Sequence, residues 1–311
     1  MNNRIFSRAT GKGKLLLFGE HSAVYGYPAL GIPVPLETEL IESETPGIQL
    51  MEKYKKFEES IYSLLKYAEK IFKINIDIKD SGLKLISSIP PESGLGSSAA
   101  LCTALVKYLI NNKLLKNSDE QSLWYYAHQL EHFFHGTPSG IDTGLASLNR
   151  VTAFYFEGDL LPETVSLIYP EIHLVFGTVP RIKSTAKLVS QVGELMKLEP
   201  HRTKSILEDL GEITKSSINL LKGKSADMSG ELGFLAKKAH KKLQELHVSV
   251  DLLDNILETA EQHGSLGGKL SGAGGGGAFW FLAESAGKAE DLKDFIKRDF
   301  NCPVWCIHQQ V

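Results

Sequence analysis

The chain has 311 residues, of which 42% are hydrophobic and 23% charged, a composition that excludes an intrinsically disordered protein and a length that favours two domains. The formal net charge of −3 removes the usual electrostatic basis for a nucleic-acid partner. Three cysteines are too few for a disulfide framework, which predicts a cytoplasmic protein. The N-terminus has no signal-peptide pattern. The sequence has no uncharged apolar run of about 18 residues, so no membrane span is predicted.

In the first half of the chain, hydrophobic spacing predicts alternating strands and helices. Strands are predicted at residues 15–18, 74–78, 83–89 and 151–156. Helices are predicted at residues 53–72, at residues 98–112, and from a cap at Ser118 or Asp119 to about residue 135.

The second half of the chain has longer amphipathic segments. After a predicted strand at residues 173–179, three or four Lys/Glu-rich helices are expected, at about 184–197, 200–222, 229–246 and 249–263. A strand at 278–282, a helix at 287–299 and a strand at 303–307 follow. This change predicts an N-terminal domain of residues 1–170 and a C-terminal domain of residues 171–311.

Glycine is not spread evenly along the chain. The 28 glycines are concentrated in residues 11–31, 94–96, 136–144 and 264–277. Because glycine lets a backbone turn tightly and approach a ligand or another segment closely, these four segments are the candidate functional regions.

The sharpest of these regions is PPESGLGSSAA at residues 90–100, between a predicted strand and a predicted helix. The first N–H groups of a helix have no internal partners and lie at its positive dipole end, so they bind anions. Ser97 and Ser98 add hydroxyls for a phosphate oxygen or a Mg²⁺ ion. A Pro-Gly turn capped by serine explains the same pattern without a ligand. No Gly-Lys-Ser/Thr follows, so the segment is not a Walker A loop.

A second glycine region, KLSGAGGGGA at residues 269–278, comes directly before a predicted strand. Ordering so many glycines is entropically costly. The segment is therefore either a flexible linker or a backbone pressed against a ligand or another loop. Its apolar flanks, Leu270 and residues 278–282, favour the second interpretation.

Charged residues stand at the edges of the two remaining regions. Lys14 precedes a predicted buried strand, and Glu20 and His21 follow it. Glu131 lies near a helix end, and Asp142 follows a Gly/Pro turn. A carboxylate held by such a turn can accept a proton or balance a lysine. Solvated charges at strand ends and ordinary turn aspartates give the same pattern without function.

Histidine and cysteine side chains give a weaker metal signal. His128, His132 and His135 share one face of the predicted helix, but no second ligand segment accompanies them. Cys302 and Cys306 are interpreted as core residues.

Together, the order and spacing of the four regions resemble the GHMP kinases, a superfamily that includes galactokinase, homoserine kinase, mevalonate kinase and phosphomevalonate kinase. All three signature motifs of that superfamily are matched within residues 11–278. GKLLLFGEHSAVYGYPAL at 13–30, HGTPSGID at 135–142 and KLSGAGGGG at 269–277 are similar to the mevalonate kinase branch. The Thr-Asp-Tyr continuation typical of galactokinases and the Lys-Tyr-Trp-Gly-Lys element of mevalonate diphosphate decarboxylases are absent, and homoserine kinases lack Gly-Glu-His.

The resemblance implies an α+β fold of two lobes, a ribosomal-protein-S5-like N-terminal lobe and a ferredoxin-like C-terminal lobe, with the active site in the cleft between them. It implies ATP and Mg²⁺ as cofactors. The implied ATP-binding residues are Pro90, Ser93, Gly94, Leu95, Gly96, Ser97, Ser98 and Ala99. Ser98, with Ser97 as the alternate, and Glu131 are the implied Mg²⁺ ligands.

The resemblance also implies the chemistry. Asp142 and Lys14 are the implied catalytic residues, Asp142 acting either as a general base or as an orienting charge. The implied acceptor-binding residues are Glu20, His21, Gly272, Ala273 and Gly274. The implied substrate is mevalonate; the alternatives are another small alcohol, a sugar or phosphomevalonate, and a non-catalytic nucleotide-binding relative. A homodimer is left open.

Two segments depart from the mevalonate kinase pattern. Gly11-Lys12 stands where Ala-Pro is usual, which predicts a looser start of the strand and an added charge. PRIKSTAKLV at residues 180–189 resembles the family's Pro-Arg-Ser/Asn-Thr segment with about two extra residues. Because that segment helps to line the acceptor pocket in the family, the acceptor is the least constrained part of the prediction.

Overall fold

The computed structural model describes residues 7–77, 82–116, 119–156, 161–168, 171–223 and 225–308. The chain forms two compact units that are interleaved in sequence. Unit 1 comprises Met1–Lys14, Pro33–Pro91 and Gly96–Asn149, and unit 2 comprises Leu15–Ile32, Glu92–Leu95 and Arg150–Val311. The predicted domain boundary between residues 170 and 171 stays a prediction.

Two long strands begin the fold, β1 (Arg8–Phe18) and β2 (Ala29–Ser43), and the division into units falls inside both. The two strands pair with each other. The second half of β2 pairs antiparallel with β4 (Gly82–Ser87), from Thr38 opposite Ser87 to Ser43 opposite Gly82. The short β3 (Ile48–Leu50) lies parallel to β4 on its other side.

The helices of unit 1 are α1 (Glu58–Phe72), α2 (Ser97–Asn111), α3 (Glu120–Glu131) and α4 (Ile141–Leu148), and a 3₁₀ turn spans Glu52–Phe57. The side chains at Ile61, Leu64, Leu65 and Ala68 of α1 are buried, as their 3.6-residue spacing predicts. They enter one apolar core with the buried face of α2 and with residues of α3, β2 and β4.

Unit 2 contains an antiparallel sheet in the order β10-β7-β9-β8. Its strands are β7 (His173–Val179), β8 (Gly267–Leu270), β9 (Gly277–Ala283) and β10 (Val304–His308). The start of β2, from Ala29 to Gly31, pairs with β5 (Thr152–Tyr155), which pairs with β6 (Glu163–Ser166). Phe18, at the end of β1, meets the fully buried Trp280 of β9 edge to face, with ring centres 5.7 Å apart.

The helices of unit 2 are α5 (Thr185–Leu198), α6 (Pro200–Lys222), α7 (Met228–Glu245), α8 (Asp251–Gln262) and α9 (Ala286–Phe300), and a 3₁₀ turn spans Ala23–Tyr25. Each buries an apolar stripe, for example Leu253, Ile256, Leu257 and Ala260 of α8. Within the described ranges, no helix combines the length and the apolar character that a membrane span requires.

The mixed α/β character of the chain is confirmed, and so are most of the predicted elements. Asp119 caps α3 by accepting a hydrogen bond from the Ser122 amide at 2.8 Å, whereas the alternative cap, Ser118, lies outside the described residues. The strand predicted at 74–78 is wrong over residues 74–77, which form no strand, and residue 78 lies outside the described residues. Its Ile-Asn-Ile alternation comes directly after Lys73, the left-handed residue at which α1 ends. The Ile76 amide donates to the Glu69 carboxylate and not to a neighbouring strand.

Candidate active site

The segment before α2 contains two left-handed glycines, Gly94 with φ 82° and Gly96 with φ 75°. A Cβ on Gly96 would lie 2.6 Å from Cγ of Lys14, so a larger residue would displace the lysine. Gly96 stands at the N-cap position of α2 without a side-chain cap. The first amides of α2, those of Ser97 and Ser98, therefore have no helical acceptor and can bind an anion.

The predicted ATP-binding residues take different positions around this segment. Ser97 and Ser98 are partly exposed, whereas Ser93, Leu95 and Ala99 are buried. The Ser93 hydroxyl accepts from the Leu95 amide at 3.3 Å and therefore shapes the loop itself. Pro90 is partly buried.

The departure at Gly11 has a steric reason. A Cβ on Gly11 would lie 2.0 Å from the carbonyl oxygen of Ala100, so β1 approaches α2 more closely than any other residue allows. The charge added at Lys12 is used locally, because its Nζ donates to Glu37 at 2.7 Å.

At the same end of α2, the Ser98 hydroxyl donates to Oε1 of Glu131 at 2.8 Å. Glu131 is the buried last residue of α3, and His135 Nε2 lies 3.4 Å from the same carboxylate oxygen. Burial raises the pKa of Glu131 to about 7. The negative charge of Asp142 acts in the same direction, whereas the hydrogen bond from Ser98 and the charge of Lys14 oppose the shift.

Asp142 stands in the first turn of α4, whose N-cap Gly140 has a left-handed φ of 82°. The Gly140 carbonyl accepts the indole N–H of Trp124 at 3.0 Å, which anchors this helix start. Lys14 Nζ lies 2.9 Å from Oδ1 of Asp142; the lysine side chain is 6% exposed and that of the aspartate 40%. The carboxylate is thus accessible to a ligand while its cationic partner is enclosed.

The donor set around Ser98 and Glu131 fits a magnesium ion. Mg²⁺ prefers hard oxygen ligands, usually one or two carboxylates together with substrate phosphates. Glu131 and Asp142 carry more negative charge than Lys14 balances, and a divalent cation would offset that excess.

The histidine face of α3 does not form a metal cluster. Burial lowers the pKa of His128 to about 4, and His132 Nδ1 donates to the Gly136 carbonyl at 3.0 Å. In the described part of the chain, the set of three close ligand side chains is elsewhere, at Glu290, Cys306 and His308. Cys302 is buried as predicted, but Cys306 is only partly buried.

In unit 2, Glu20 and Lys269 form an ion pair with both side chains almost fully buried, at 1% and 0% exposure. Lys269 Nζ donates to Oε1 of Glu20 and, at 2.7 Å, to the Leu270 carbonyl. The Gly272 amide also points at Oε1 of Glu20, at 3.4 Å. Burial raises the pKa of Glu20 and lowers that of Lys269, while their mutual attraction opposes both shifts.

His21 lies beside this pair with an unusual backbone conformation, φ 59°. Its Nε2 lies 3.0 Å from the Ala273 carbonyl oxygen. Burial lowers the pKa of His21, and the charge of Lys269 adds to that effect. Because a carbonyl only accepts, Nε2 carries the proton, and Nδ1 of the neutral ring is left as an acceptor.

The glycine run after Lys269 is tightly packed and is not a flexible linker. A Cβ on Gly274 would lie 2.1 Å from the Val248 carbonyl oxygen, and one on Gly276 would lie 2.2 Å from that of Pro180. Residues 274–277 all have positive φ. The interpretation as a backbone pressed against other segments is therefore correct, although a Cβ on Gly272 would meet nothing within 4 Å.

Sequence reasoning missed three side chains that shape this region. Lys269 lies in the predicted glycine region, but no role follows for it from the sequence. Arg181 lies against Gly94 and Gly277, where a Cβ would lie 2.9 and 3.0 Å from its guanidinium nitrogens. Ser271 Oγ donates to the Leu16 carbonyl at 2.8 Å and accepts from the Leu16 amide at 3.0 Å. The sequence features that could have pointed to these side chains are the polar residues at positions 269 and 271 and the Pro-Arg dipeptide at residues 180–181.

The chain is similar to known proteins in family pattern, in sequence and in structure. A model of the GHMP kinases N terminal domain matches residues 59–149, and one of the GHMP kinases C terminal domain matches residues 219–302. A mevalonate kinase of Pyrococcus horikoshii is 28% identical over 314 residues, which covers 93% of this chain and 91% of the relative.

Two solved structures have the same fold. The crystal structure of L. major mevalonate kinase in complex with R-mevalonate superposes with a TM-score of 0.83 at 25% identity, covering 96% of this chain and 94% of the other. The Methanococcus jannaschii mevalonate kinase superposes with a TM-score of 0.79 at 21% identity, covering 99% of this chain and all of the other. The GHMP kinase fold of mixed α and β content, which the family resemblance implies, is thereby confirmed.

Proposed function

The chain belongs to the GHMP kinase superfamily, and we propose that it transfers the γ-phosphoryl group of ATP to the primary hydroxyl of mevalonate, giving 5-phosphomevalonate and ADP. Membership of a kinase family implies the use of ATP. The similarity to mevalonate kinases across most of the chain supports mevalonate as the acceptor. The observation that carries the proposal is the partly exposed Asp142 held by the enclosed Lys14, in the same unit as the Ser98–Glu131 contact.

The start of α2 is the proposed site for the triphosphate. The first-turn amides of Ser97 and Ser98 have no acceptor within the helix and suit an anion. Lys14, set against Gly96, adds a fixed positive charge in the same unit. Phosphoryl transfer depends mainly on such alignment and charge stabilisation.

Ser98 and Glu131 would hold Mg²⁺, through the hydroxyl and the carboxylate that already lie 2.8 Å apart. When bound, the ion neutralises charge on the phosphate oxygens. His135, 3.5 Å from the Ser98 hydroxyl, would stay outside this ligand set because its nitrogen is a softer donor than Mg²⁺ prefers.

Asp142 and Lys14 act on the acceptor hydroxyl. As the new O–P bond forms and the bond from phosphorus to the ADP oxygen breaks, the hydroxyl proton passes to a carboxylate oxygen of Asp142. In the alternative arrangement, Lys14 lowers the pKa of the hydroxyl and Asp142 only orients it. Both arrangements need Asp142 to touch the acceptor, which its exposure permits.

The proposed acceptor-binding residues are His21 and the loop at residues 272–274, as the family resemblance implies. With the proton on Nε2, Nδ1 of His21 can accept a hydrogen bond from a hydroxyl. The loop at residues 272–274 offers backbone groups beside an open position at Gly272. A cytoplasmic location and a homodimer remain predictions.

A panel of acceptors tests this function. Purified protein with ATP and Mg²⁺ is offered mevalonate, phosphomevalonate, galactose and homoserine, and ADP release is followed by a coupled assay. We expect release with mevalonate well above the no-acceptor rate. Release with another acceptor alone would keep the kinase and overturn mevalonate; nucleotide binding without release for any acceptor would indicate the non-catalytic relative.

A further inference from the structure

Lys269 and Glu20 lie 249 positions apart in the sequence, yet they form one buried contact in unit 2. Taking two charges out of water is costly, and a buried pair often contributes little net stability compared with apolar residues of the same size. Stability alone is therefore a weak reason for placing a charged pair here.

The pair joins two backbone segments. Glu20 belongs to the turn at residues 19–22, where the Ser22 amide donates to the Glu20 carbonyl at 2.6 Å. Lys269 is the third residue of β8 and precedes the loop at residues 271–274. Because Oε1 of Glu20 also receives the Gly272 amide, one carboxylate oxygen connects the turn to both the strand and the loop.

His21 makes the next contact between the same segments. Its Nε2 donates to the Ala273 carbonyl at 3.0 Å, one residue beyond the glycine that points at Glu20. The positive φ of His21 is unfavourable for a non-glycine residue. Such a conformation persists only where the surroundings hold it, and the Lys269–Glu20 contact lies directly next to it.

The carboxylate of Glu20 is enclosed, which separates its role from that of His21. Its side chain is 1% exposed, so Glu20 is covered by protein on all sides. Glu20 therefore acts on a ligand through its neighbours.

We propose that Lys269 is a positioning residue: through its buried ion pair with Glu20, it fixes the turn at residues 19–22 against the loop at residues 271–274 and so sets where the His21 imidazole meets the acceptor. This inference rests on the proposed function for the identity of the site as an acceptor site. It reassigns Glu20 from direct contact with the acceptor, as the family resemblance implies, to support of His21.

The test uses paired variants. Lys269→Met and Glu20→Gln each leave one partner of a buried pair alone, so each single variant should lower the melting temperature. The double variant Glu20→Gln/Lys269→Met removes both charges and should recover most of that loss. We expect the acceptor KM of the double variant to stay raised by at least about tenfold, since the loss of one hydrogen bond to the acceptor is enough for such a change, while the KM for ATP changes by less than about threefold.

The matched control is a surface pair in the same unit. Lys237 Nζ lies 2.7 Å from Oε1 of Glu261, with both side chains substantially exposed. Lys237→Met/Glu261→Gln removes the same two charges and should leave both KM values unchanged. An acceptor KM that recovers together with the melting temperature in Glu20→Gln/Lys269→Met would overturn the positioning role and leave simple charge compensation.

Two further measurements keep the inference testable if that double variant fails to fold or mevalonate is not the acceptor. Glu20→Asp keeps both charges but withdraws the carboxylate by one methylene, and a folded variant with the wild-type acceptor KM would contradict the proposal.

The kinetics use whichever alcohol the wild-type protein phosphorylates. If no alcohol is turned over, the ¹⁵N signals of the His21 ring decide. We expect the Nε2–H tautomer in the wild type and its loss in the folded variants; unchanged signals would overturn the inference.

Discussion

Two of the lysine–carboxylate pairs in the described part of the chain, Lys14–Asp142 and Lys269–Glu20, differ sharply in environment. Lys14 and Asp142 meet in unit 1 with the carboxylate 40% exposed, whereas Lys269 and Glu20 meet in unit 2 with both side chains enclosed. An exposed carboxylate can exchange its lysine contact for a substrate proton. An enclosed one cannot reach a ligand, and its contribution is to hold backbone segments in place.

The charges around the two pairs differ as well. Glu131 stands near Asp142, and the electrostatic effect of one carboxylate on the other helps to raise the pKa of Glu131. The Lys269–Glu20 pair is balanced within itself. Glu131 and Asp142 in unit 1 therefore leave an unbalanced negative charge that suits a divalent cation, whereas unit 2 contains a neutral pair that holds backbone segments together.

The largest effect on kcat is expected from Asp142→Asn, which tests whether the Lys14–Asp142 pair takes part in the reaction. The substitution keeps the size of the side chain but removes its basicity, so kcat should fall by at least about a hundredfold while ATP still binds. Steady-state kinetics and nucleotide titration measure the two quantities.

The control for that substitution is another exposed pair. Lys242 Nζ lies 3.0 Å from Oδ2 of Asp209, and Asp209→Asn should leave kcat unchanged. Turnover near the wild-type rate in Asp142→Asn would remove Asp142 from the chemistry and with it the distinction between the pairs.

Glu131→Gln tests the unbalanced charge of unit 1 through the pH dependence of stability. The pKa of Glu131 is 4.5 in its ordinary state and about 7 in the folded protein. Below pH 4.5 both states bind the proton; as the pH rises towards 7 the unfolded state releases it first, so the folded protein loses stability. Between pH 5 and 8 this loss should reach roughly 2.5 kcal/mol in the wild type and be absent in Glu131→Gln.

Urea unfolding without nucleotide or Mg²⁺ measures this difference at both pH values. The quantity that decides is the gap between the two proteins, since other titrating groups affect both equally. Stability curves that stay parallel from pH 5 to pH 8 would show that Glu131 does not titrate in this range.

The Lys14–Asp142 pair and its surroundings were predictable from sequence because the backbone there needs glycine at particular positions. Gly96 and Gly140 both have positive φ at helix starts, and only glycine adopts that conformation readily. The motif around each glycine therefore located Ser98 and Asp142. The family resemblance then supplied their proposed roles.

The Lys269–Glu20 pair has no comparable signal in the sequence. Lys269 lies within β8, a four-residue strand with two glycines that has none of the β-branched or aromatic residues typical of strands. Neither periodicity nor spacing reports a contact between residues 249 positions apart. Such a contact is set by tertiary packing, and the same holds for Arg181 against Gly94 and Gly277.

The smallest effect is expected from Ser271→Ala, which tests whether unit 2 supports the site without taking part in the chemistry. The buried Ser271 hydroxyl satisfies both backbone groups of Leu16, at 2.8 and 3.0 Å. Its removal leaves a buried donor and a buried acceptor unpaired, which should lower the free energy of unfolding by about 1 kcal/mol or somewhat more. Because Ser271 and Leu16 are both buried, at 0% and 7% exposure, kcat should stay within about twofold of the wild type. Ser225→Ala is the control: it removes a partly exposed hydroxyl that donates to Glu231 at 2.6 Å and accepts from the Asp227 amide at 3.1 Å. Because water can replace these bonds, the free energy of unfolding should fall by less than in Ser271→Ala, and kcat should stay unchanged. A fall of kcat as large as that of Asp142→Asn would mean that the β1-to-loop contact enters the reaction itself, and the division between a reactive and a supporting pair would fail.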